Sequence, residues 1–587
     1  MLAITIARST RPNPVTQDPP ALRSQRWFMA QDMRGFAHRQ RMQQMGLRRE
    51  DVMGRPIVAI VNTWSDLSPC HAHLRERAEA VKRGVLLAGG MPFELPALSL
   101  GEVMVKPTTM LYRNLLAIET EELLRSHPVD GAVLLGGCDK TTPGLLMGAI
   151  SMGLPAIFCP AGPMLNDRWR GQPVGAGTHT RKFWDELQAG ELPPADWVRL
   201  EQRMTRSPGT CNTMGTASTM TSIAEALGLT LPGAASIPAM DAAHPRLAAD
   251  CGERIVAMIR EGLTPQRILS RESFLNAAVV QMALGGSTNA VVHMLALARR
   301  AGVALTLADL DDVARRVPVL VNLFPSGQGL MEDFHYAGGV PALMNRLRES
   351  LALEVPTASG RPLADQLQGC EVLDDDVIRP LGQPVSPHGA LAVLRGNLAP
   401  EGAVIKPSAA DARFFRHRGR ALVFDSQPEM QAAMADADLD CDESTVLVLR
   451  NAGPVGAPGM PEWGNLPIPK KLLQRGVRDL LRISDARMSG THYGTCVLHV
   501  SPESAVGGPL ALVRTGDWVE LDVPGRRLHL AVDEDELARR RATWQAPQPA
   551  AARGWTRLHQ QHVTQAHEGC DLDFLMGTDP TPEPPIF

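Results

Sequence analysis

The chain has 587 residues, 44% of them apolar and 21% charged, and a formal net charge of −4 at pH 7. That length exceeds a single hydrophobic core and sets an expectation of about two to four domains. The near-neutral charge gives no electrostatic footprint for nucleic acid or an acidic membrane surface, and no run approaches the roughly 18 apolar residues of a membrane span.

Residues 1–25 read as a flexible N-terminal extension, because the apolar run at 2–7 ends at Arg-Pro-Asn-Pro and is too short for a secretory segment. Ile57-Val58-Ala59-Ile60-Val61 reads as a buried strand, 73–87 as a helix closed by Gly89-Gly90, 93–98 as a short strand, 108–125 as a helix and 129–135 as a strand. Pro143 suits the first turn of the next helix, which ends near Gly153 ahead of a strand over 155–159. Strands alternating with helices predict βαβ units, an α/β fold whose parallel sheet carries ligand sites in the loops at the strands' carboxyl ends.

Those loops are the chemically loaded ones. The first strand runs into Ser68-Pro69-Cys70-His71, the second into Ser99-Leu100-Gly101-Glu102 and the third into Cys138-Asp139-Lys140. A further segment, Gly209-Thr210-Cys211-Asn212, precedes a helical run through Leu227, so that Cys211 is expected at or just before a helix N-terminus, where the dipole and free amides favour a thiolate. Residues 240–350 read as mainly helical, with Gly285-Gly286-Ser287-Thr288-Asn289 as a turn. Beyond about 370 the texture becomes β-rich, with strands over 389–394, 421–424, 446–449 and 497–500 and a hairpin over 518–532 turning at Pro524-Gly525. The expectation is an α/β domain over 26–370 and a barrel-like β domain over 371–587.

Nine widely scattered cysteines suggest a reducing cytoplasm and thiolates rather than disulfides. Cys159, Cys251, Cys370, Cys441, Cys496 and Cys570 read as small buried hydrophobes. Cys70, Cys138 and Cys211 differ in sitting in Gly-, Pro- or Ser-rich loops beside polar groups. Three thiolates from three loops would give an iron–sulfur cluster or a zinc ion one open position, which suits catalysis. Glu102, Asp139 and Glu462 are hard-ligand candidates; Glu462 ends a Gly- and Pro-rich stretch from Asn451, a tightly specified backbone. Lys140 is a group whose charge depends on its surroundings. Ser489, in Ser484-Asp485-Ala486-Arg487-Met488-Ser489-Gly490-Thr491, lacks a neighbouring His and Asp, so it is either a turn residue or a nucleophile or base with another activator. His71, His73 and His179 could be ligands, with a hydrogen-bonded structural role as the default.

Together, Gly136-Gly137-Cys138-Asp139-Lys140-Thr141-Thr142-Pro143-Gly144, Cys70 with its neighbours, Gly209 to Ala217, Gly453 to Glu462 and Ser484 to Thr491 resemble the dihydroxy-acid and sugar-acid dehydratase family, over about 23–577. The resemblance implies an N-terminal α/β domain and a C-terminal β-barrel meeting at the active site, in a homodimer or homotetramer. It implies a [2Fe–2S] cluster on Cys70, Cys138 and Cys211, and Mg²⁺ held by Glu102, Asp139, Glu462 and a carbamylated Lys140, since Mg²⁺ takes oxygen donors. It also implies Ser489, as alkoxide, removing the C2 proton while the C3 hydroxyl leaves, with Thr491 orienting Ser489 or the substrate. Ser99-Leu100-Gly101-Glu102 and Met460-Pro461-Glu462-Trp463-Gly464-Asn465-Leu466-Pro467 look like the sugar-acid branch, so an aldonate such as L-arabinonate or D-xylonate is the expected substrate. His179, where the pentonate branch has an acidic residue, and the tail 577–587 depart from that branch. The alternatives are the dihydroxy-acid dehydratase of branched-chain amino-acid synthesis, a non-catalytic iron–sulfur sensor, and a zinc hydrolase.

Overall fold

The computed structural model describes residues 21–577 and 581–586. Four strands, β1 (Ile57–Asn62), β2 (Met91–Pro96), β3 (Gly131–Gly136) and β4 (Ala156–Pro160), form a wholly parallel sheet in the order β2-β1-β3-β4. β1, β3 and β4 are buried along their whole length, as continuous apolar runs are when helices cover both faces of a parallel sheet. β2 is an edge strand and half-exposed, which matches its Pro and Glu residues. The crossovers are the helices Leu74–Leu87, Met110–Ser126 and Thr141–Met152. The last holds Pro143 in its first turn and stops at Gly153, whose φ of +73° continues no helix.

All but the last few residues of the expected extension lie outside the described residues, and its boundary at 25 is corrected: Ser24 is buried, donating from its amide and its hydroxyl to Asp130 at 2.8 and 2.7 Å. A short hairpin, β5 (Asp167–Trp169) and β6 (Gln172–Val174), follows the sheet and leads into the helix Thr178–Ala189. The region expected to be helical contains Ala243–Glu261, Arg271–Ala283, Asn289–Arg300 and Leu307–Arg316.

The later strands are β7 (Ala392–Gly396), β8 (Ala399–Ile405), β9 (Arg416–Phe424), β10 (Val446–Leu449), β11 (Arg482–Ser484), β12 (Cys496–Ser501), β13 (Trp518–Asp522) and β14 (Arg527–Leu530). They close a barrel in the order β10-β11-β12-β8-β7-β14-β13-β9. Alternation along the strands divides their side chains between two environments. Ala392 and Leu394 fill the barrel interior, whereas Val393, with Val404 from β8, joins the large core of the α/β half, so the two halves are packed as neighbours. Val446 and Val448 point inward while Leu447 and Leu449 pack with Leu472 and Leu473 outside.

The chain beyond the barrel returns to the α/β half. Trp555 Nε1 donates to the Leu111 carbonyl at 2.8 Å, and Arg300 grips Asp571 through two bonds of 2.6 and 3.0 Å with neither side chain exposed. Val563, Cys570 and Leu572 fill a small core with Met110, Val292 and Met460, drawn from both halves. Among the described residues no helix is long and apolar enough to cross a membrane.

Candidate functional site

The loops at the carboxyl ends of the sheet hold the three singled-out thiols. Cys138 follows β3 by one glycine, and Gly137 admits no side chain because a Cβ there would lie 2.5 Å from that of Ala161. The Cys138 amide donates to His71 Nε2 at 3.1 Å, so the ring proton sits on Nδ1, which meets the Thr63 carbonyl at 3.1 Å. Burial, helped by His73, brings His71 down to about 3 and keeps it neutral. His71 therefore positions the Cys138 loop. His73 hydrogen-bonds the Ala161 carbonyl at 2.7 Å and His179 accepts from the Gly175 amide at 3.0 Å, so all three histidines take the structural role.

The Cys70 and Cys211 loops are pinned to one another by the Gly209 amide on the Pro69 carbonyl at 3.3 Å, and to the end of β4 by the Thr210 amide on the Gly162 carbonyl at 2.9 Å. The neighbouring Cys138 thiol, burial and the nearby charges of Cys211 and Asp139 all push the Cys70 thiol up. Cys211 precedes Gly215, the N-cap of the helix Thr216–Ala226, by four residues. Burial, Asp139 and Cys138 raise its thiol. Cys70 and Cys211 are therefore poor thiolates, and a positively charged group bound beside them would reverse that.

The hard groups converge on Lys140. Its wholly buried Nζ lies 3.0 Å from Glu102, 3.1 Å from Asp139 and 3.0 Å from Glu462. Glu102 comes from the loop after β2 and accepts from the Thr108 and Thr109 hydroxyls. Glu462 comes from the barrel half and also accepts from Asn289 Nδ2 at 2.9 Å and Arg487 at 3.0 Å. Arg487, fully buried, spends its remaining donors on the Met460 carbonyl at 2.8 Å and the Thr108 hydroxyl at 3.1 Å. The loop bringing Glu462 hangs from buried Glu503, which accepts from the Val455 and Gly456 amides at 2.8 and 2.9 Å.

Burial opposes the charge on each of these groups, and pairing decides the outcome. Burial and Arg487 press Lys140 to lose its proton, yet the three carboxylates outweigh them and hold it above its ordinary value. Burial works against ionising Glu462, but Lys140 and Arg487 hold it down at about 2. Burial raises Glu102, and Lys140 offsets this only in part because Glu462 and Asp139 add their repulsion. Three carboxylates thus face two buried cations, an excess of negative charge. The hydroxyls of Ser68 and Thr142 and Oδ1 of Asn289 are buried with no partner among the described residues; Ser68 packs against Gly101 next to Glu102, Thr142 follows Lys140 by two residues, and the Asn289 side chain bonds Glu462. Among the described residues no group of three or more His, Cys, Asp or Glu is arranged to hold an ion as it stands, and Lys140 occupies the point where the carboxylates meet. Excess negative charge and unpartnered oxygens nonetheless form a donor set that fits a hard divalent cation once the ammonium charge is removed.

Ser489 and Thr491 lie on a loop packed beside this network. Their hydroxyls are 2.9 Å apart, and no His or Asp among the described residues bonds Ser489. The loop is seated tightly: a Cβ on Gly490 would fall 2.4 Å from Ser287 Oγ, and Thr178 donates to the Thr491 carbonyl. Ser287 meets Thr216 at 2.9 Å, and Asn289 bonds both Thr216, at 3.1 Å, and Glu462. Asn289 and Arg487 were not singled out from the sequence. The available signal for Asn289 was three polar residues, Ser287 to Asn289, sandwiched between apolar helical runs; for Arg487 it was only its place in the Ser489 segment.

A cavity of about 480 Å³ opens beside Glu462, between the helix Thr178–Ala189 and the barrel half, with Arg181, Trp184, Trp463, Asn465 and His492 on its wall. That size is ordinary for a small-molecule site, for which about 300–1,000 Å³ is usual.

Comparison with known proteins agrees with this architecture. The family description "Dihydroxy-acid/6-phosphogluconate dehydratase N-terminal" matches residues 55–366, and its C-terminal counterpart matches 376–570. The chain is 62% identical to a 6-deoxy-6-sulfo-D-gluconate dehydratase of Pseudomonas putida, over 96% of this chain and 98% of that protein. It is 51% identical to an L-arabinonate dehydratase of Rhizobium leguminosarum bv. trifolii, over 95% and 97%, and 39% identical to a dihydroxy-acid dehydratase of Moorella thermoacetica, over 91% and 98%. The chain belongs to the dihydroxy-acid/6-phosphogluconate dehydratase family of hydro-lyases.

Proposed function

We propose that the chain dehydrates a sugar acid, an aldonate, to its 2-keto-3-deoxy acid. The observation that carries this reading is the convergence of Glu102, Asp139 and Glu462 on Lys140, with Asn289, Thr216 and Ser287 bonded in a chain from Glu462 that packs against Gly490 of the Ser489 loop. The 62% and 51% identities to proteins named for sugar acids, against 39% to a dihydroxy-acid dehydratase, favour the sugar-acid branch. Cys70, Cys138 and Cys211 would hold a [2Fe–2S] cluster, and Glu102, Asp139, Glu462 and a carbamylated Lys140 would hold Mg²⁺. When bound, these metals supply Lewis acidity toward the carboxylate and hydroxyl oxygens of the substrate.

The chain's own groups then have distinct tasks. Ser489 Oγ takes the C2 proton, and the Thr491 hydroxyl, 2.9 Å away, donates to it and stabilises the deprotonated oxygen. The C2–H electrons form the C2=C3 bond as hydroxide leaves C3, and the enol tautomerises to the ketone, so one water is lost overall. Arg487 and Asn289 fix the Glu462 carboxylate, and burial excludes water from Lys140. Carbamylation of Lys140 requires the neutral amine, which adds to CO₂ and releases a proton; engagement of the three carboxylates by a divalent cation would remove what now holds the ammonium charged.

Protein purified without air and offered pentonates, hexonates and 2,3-dihydroxyisovalerate is expected to release 2-keto acid from a sugar acid. Turnover of dihydroxyisovalerate alone would overturn the reading. Ser489→Ala is expected to lower kcat by roughly 10²–10⁴-fold with little change in KM, the usual worth of a general base.

A further inference from the structure

A sugar acid has a second end, and the wall of the cavity suggests what stands there. Besides Glu462, the wall carries Arg181, Trp184 and Gln188 from the helix Thr178–Ala189, with Gln431 and an exposed Lys470 from the barrel half. Half-buried His492 is on the same wall, its proton affinity lowered mainly by burial and then by Arg181, and raised by Glu462. Arg181 and Glu462 thus line one cavity.

Arg181 is only 19% exposed, yet its sole polar partner among the described residues is Asp185, met through Nε at 3.2–3.3 Å. Its two terminal amino groups bond no protein atom among the described residues. A guanidinium largely withdrawn from water, with its fork unpaired and aimed at a cavity, is costly unless an oxyanion completes it, and the fork matches such a group bidentately. Asp185 covers the Nε edge and leaves that fork open. Trp184, 42% exposed and steadied by Trp197 with ring centroids 5.6 Å apart, offers an apolar face for a carbon chain, while Gln188 and Gln431 can bond hydroxyls along it. A neutral terminal hydroxyl would use none of this charge.

Resting on the sugar-acid reading above, we infer that Arg181, assisted by Lys470, binds a second anionic group, a sulfonate or a phosphate, at the end of the aldonate opposite its carboxylate. The preferred substrate is then a doubly anionic aldonate, and Arg181 is a specificity residue.

The test uses the full chain, isolated without air, as wild type, Arg181→Gln and Arg181→Lys. The probes are 6-deoxy-6-sulfo-D-gluconate, 6-phospho-D-gluconate and D-gluconate. Binding is followed by calorimetry and turnover by 2-keto acid release. One of the doubly charged probes should bind wild type at least roughly tenfold more tightly than D-gluconate, and which one does so identifies the group. Arg181→Gln should weaken that probe by roughly 10–100-fold, as loss of a charge-assisted pair does, through KM rather than kcat, and leave D-gluconate within twofold. Arg181→Lys should recover part of the loss. Equal effects on all three probes, or no wild-type preference for a doubly charged one, overturn the inference; D-gluconate turnover without that preference sinks it alone. Arg181-dependent binding with no 2-keto acid from any probe would instead leave the inference standing and remove the dehydratase reading, and no binding of any probe would remove both.

Discussion

Arg487 shows how little freedom the site leaves a single side chain. It is wholly buried and serves a carboxylate, a carbonyl and a hydroxyl from two separate segments, Met460–Glu462 and the loop at Thr108. Removing one partner of a buried pair costs about 3–5 kcal/mol because the other charge is left without compensation. Arg487→Met is therefore expected to destabilise the metal-free protein by that amount in urea titrations. Arg487→Lys, which keeps the charge but not the fork, should fall between. A midpoint unchanged in Arg487→Met would mean that Glu462 is adequately neutralised by Lys140 alone. Lys140 presents the converse case, a cation with three acceptors, and its place in the chain between Asp139 and the helix Thr141–Met152 leaves it no route to solvent.

Loops carry this chemistry, and one of them hangs from a titratable hook. Burial, with Asp485 adding repulsion, raises Glu503 to about 7, well above the ordinary 4.5. Between those values the folded chain binds more proton than the unfolded chain, so this group's contribution is fully present below pH 4.5 and declines as pH rises toward 7. Glu503→Gln cannot titrate. Across pH 4.5–7 it should gain stability relative to wild type, by on the order of 3 kcal/mol; urea midpoints that run parallel for the two proteins would contradict this. The elements themselves were unequally legible in sequence. β1, β3 and β4 could be read because a strand covered on both faces must be apolar throughout, and Gly89 and Gly153 punctuated the helices. β8 was not singled out, since Pro400 and Gly402 interrupt any strand pattern there; it tolerates them beside a register irregularity. β11 has three residues and no pattern to detect. The candidate ligands were visible because Cys, Asp and Lys in glycine-rich loops are unusual. Asn289 and Arg487 were not, because an amide after a turn and an arginine beside a serine look like surface residues until packing buries them.

At the scale of the molecule, the site lies where two halves and a terminal segment meet, and the terminal segment acts as a clasp. The Arg300–Asp571 pair is its fixed point, with Arg113 donating to the Gly569 and Cys570 carbonyls at 3.0 and 2.8 Å. Asp571→Ala is expected to cost about 3–5 kcal/mol, and Arg300→Met combined with Asp571→Leu should recover most of it, since an apolar pair of similar volume leaves no buried charge. Denaturant midpoints for the single and double variants decide this; a double variant as weak as the single one would show that the pair works through geometry rather than charge. The clasp also imposes a schedule on biosynthesis. Asp571 follows Arg300 by 271 residues, and at about 5–20 residues per second the ribosome needs roughly 15–55 s to deliver it. Throughout that interval the α/β half, with its three thiols already made, must wait on the ribosome with Arg300 lacking Asp571 and Arg113 lacking the Gly569 and Cys570 carbonyls. The nascent chain is thus open longest at the place where the finished protein is most tightly shut.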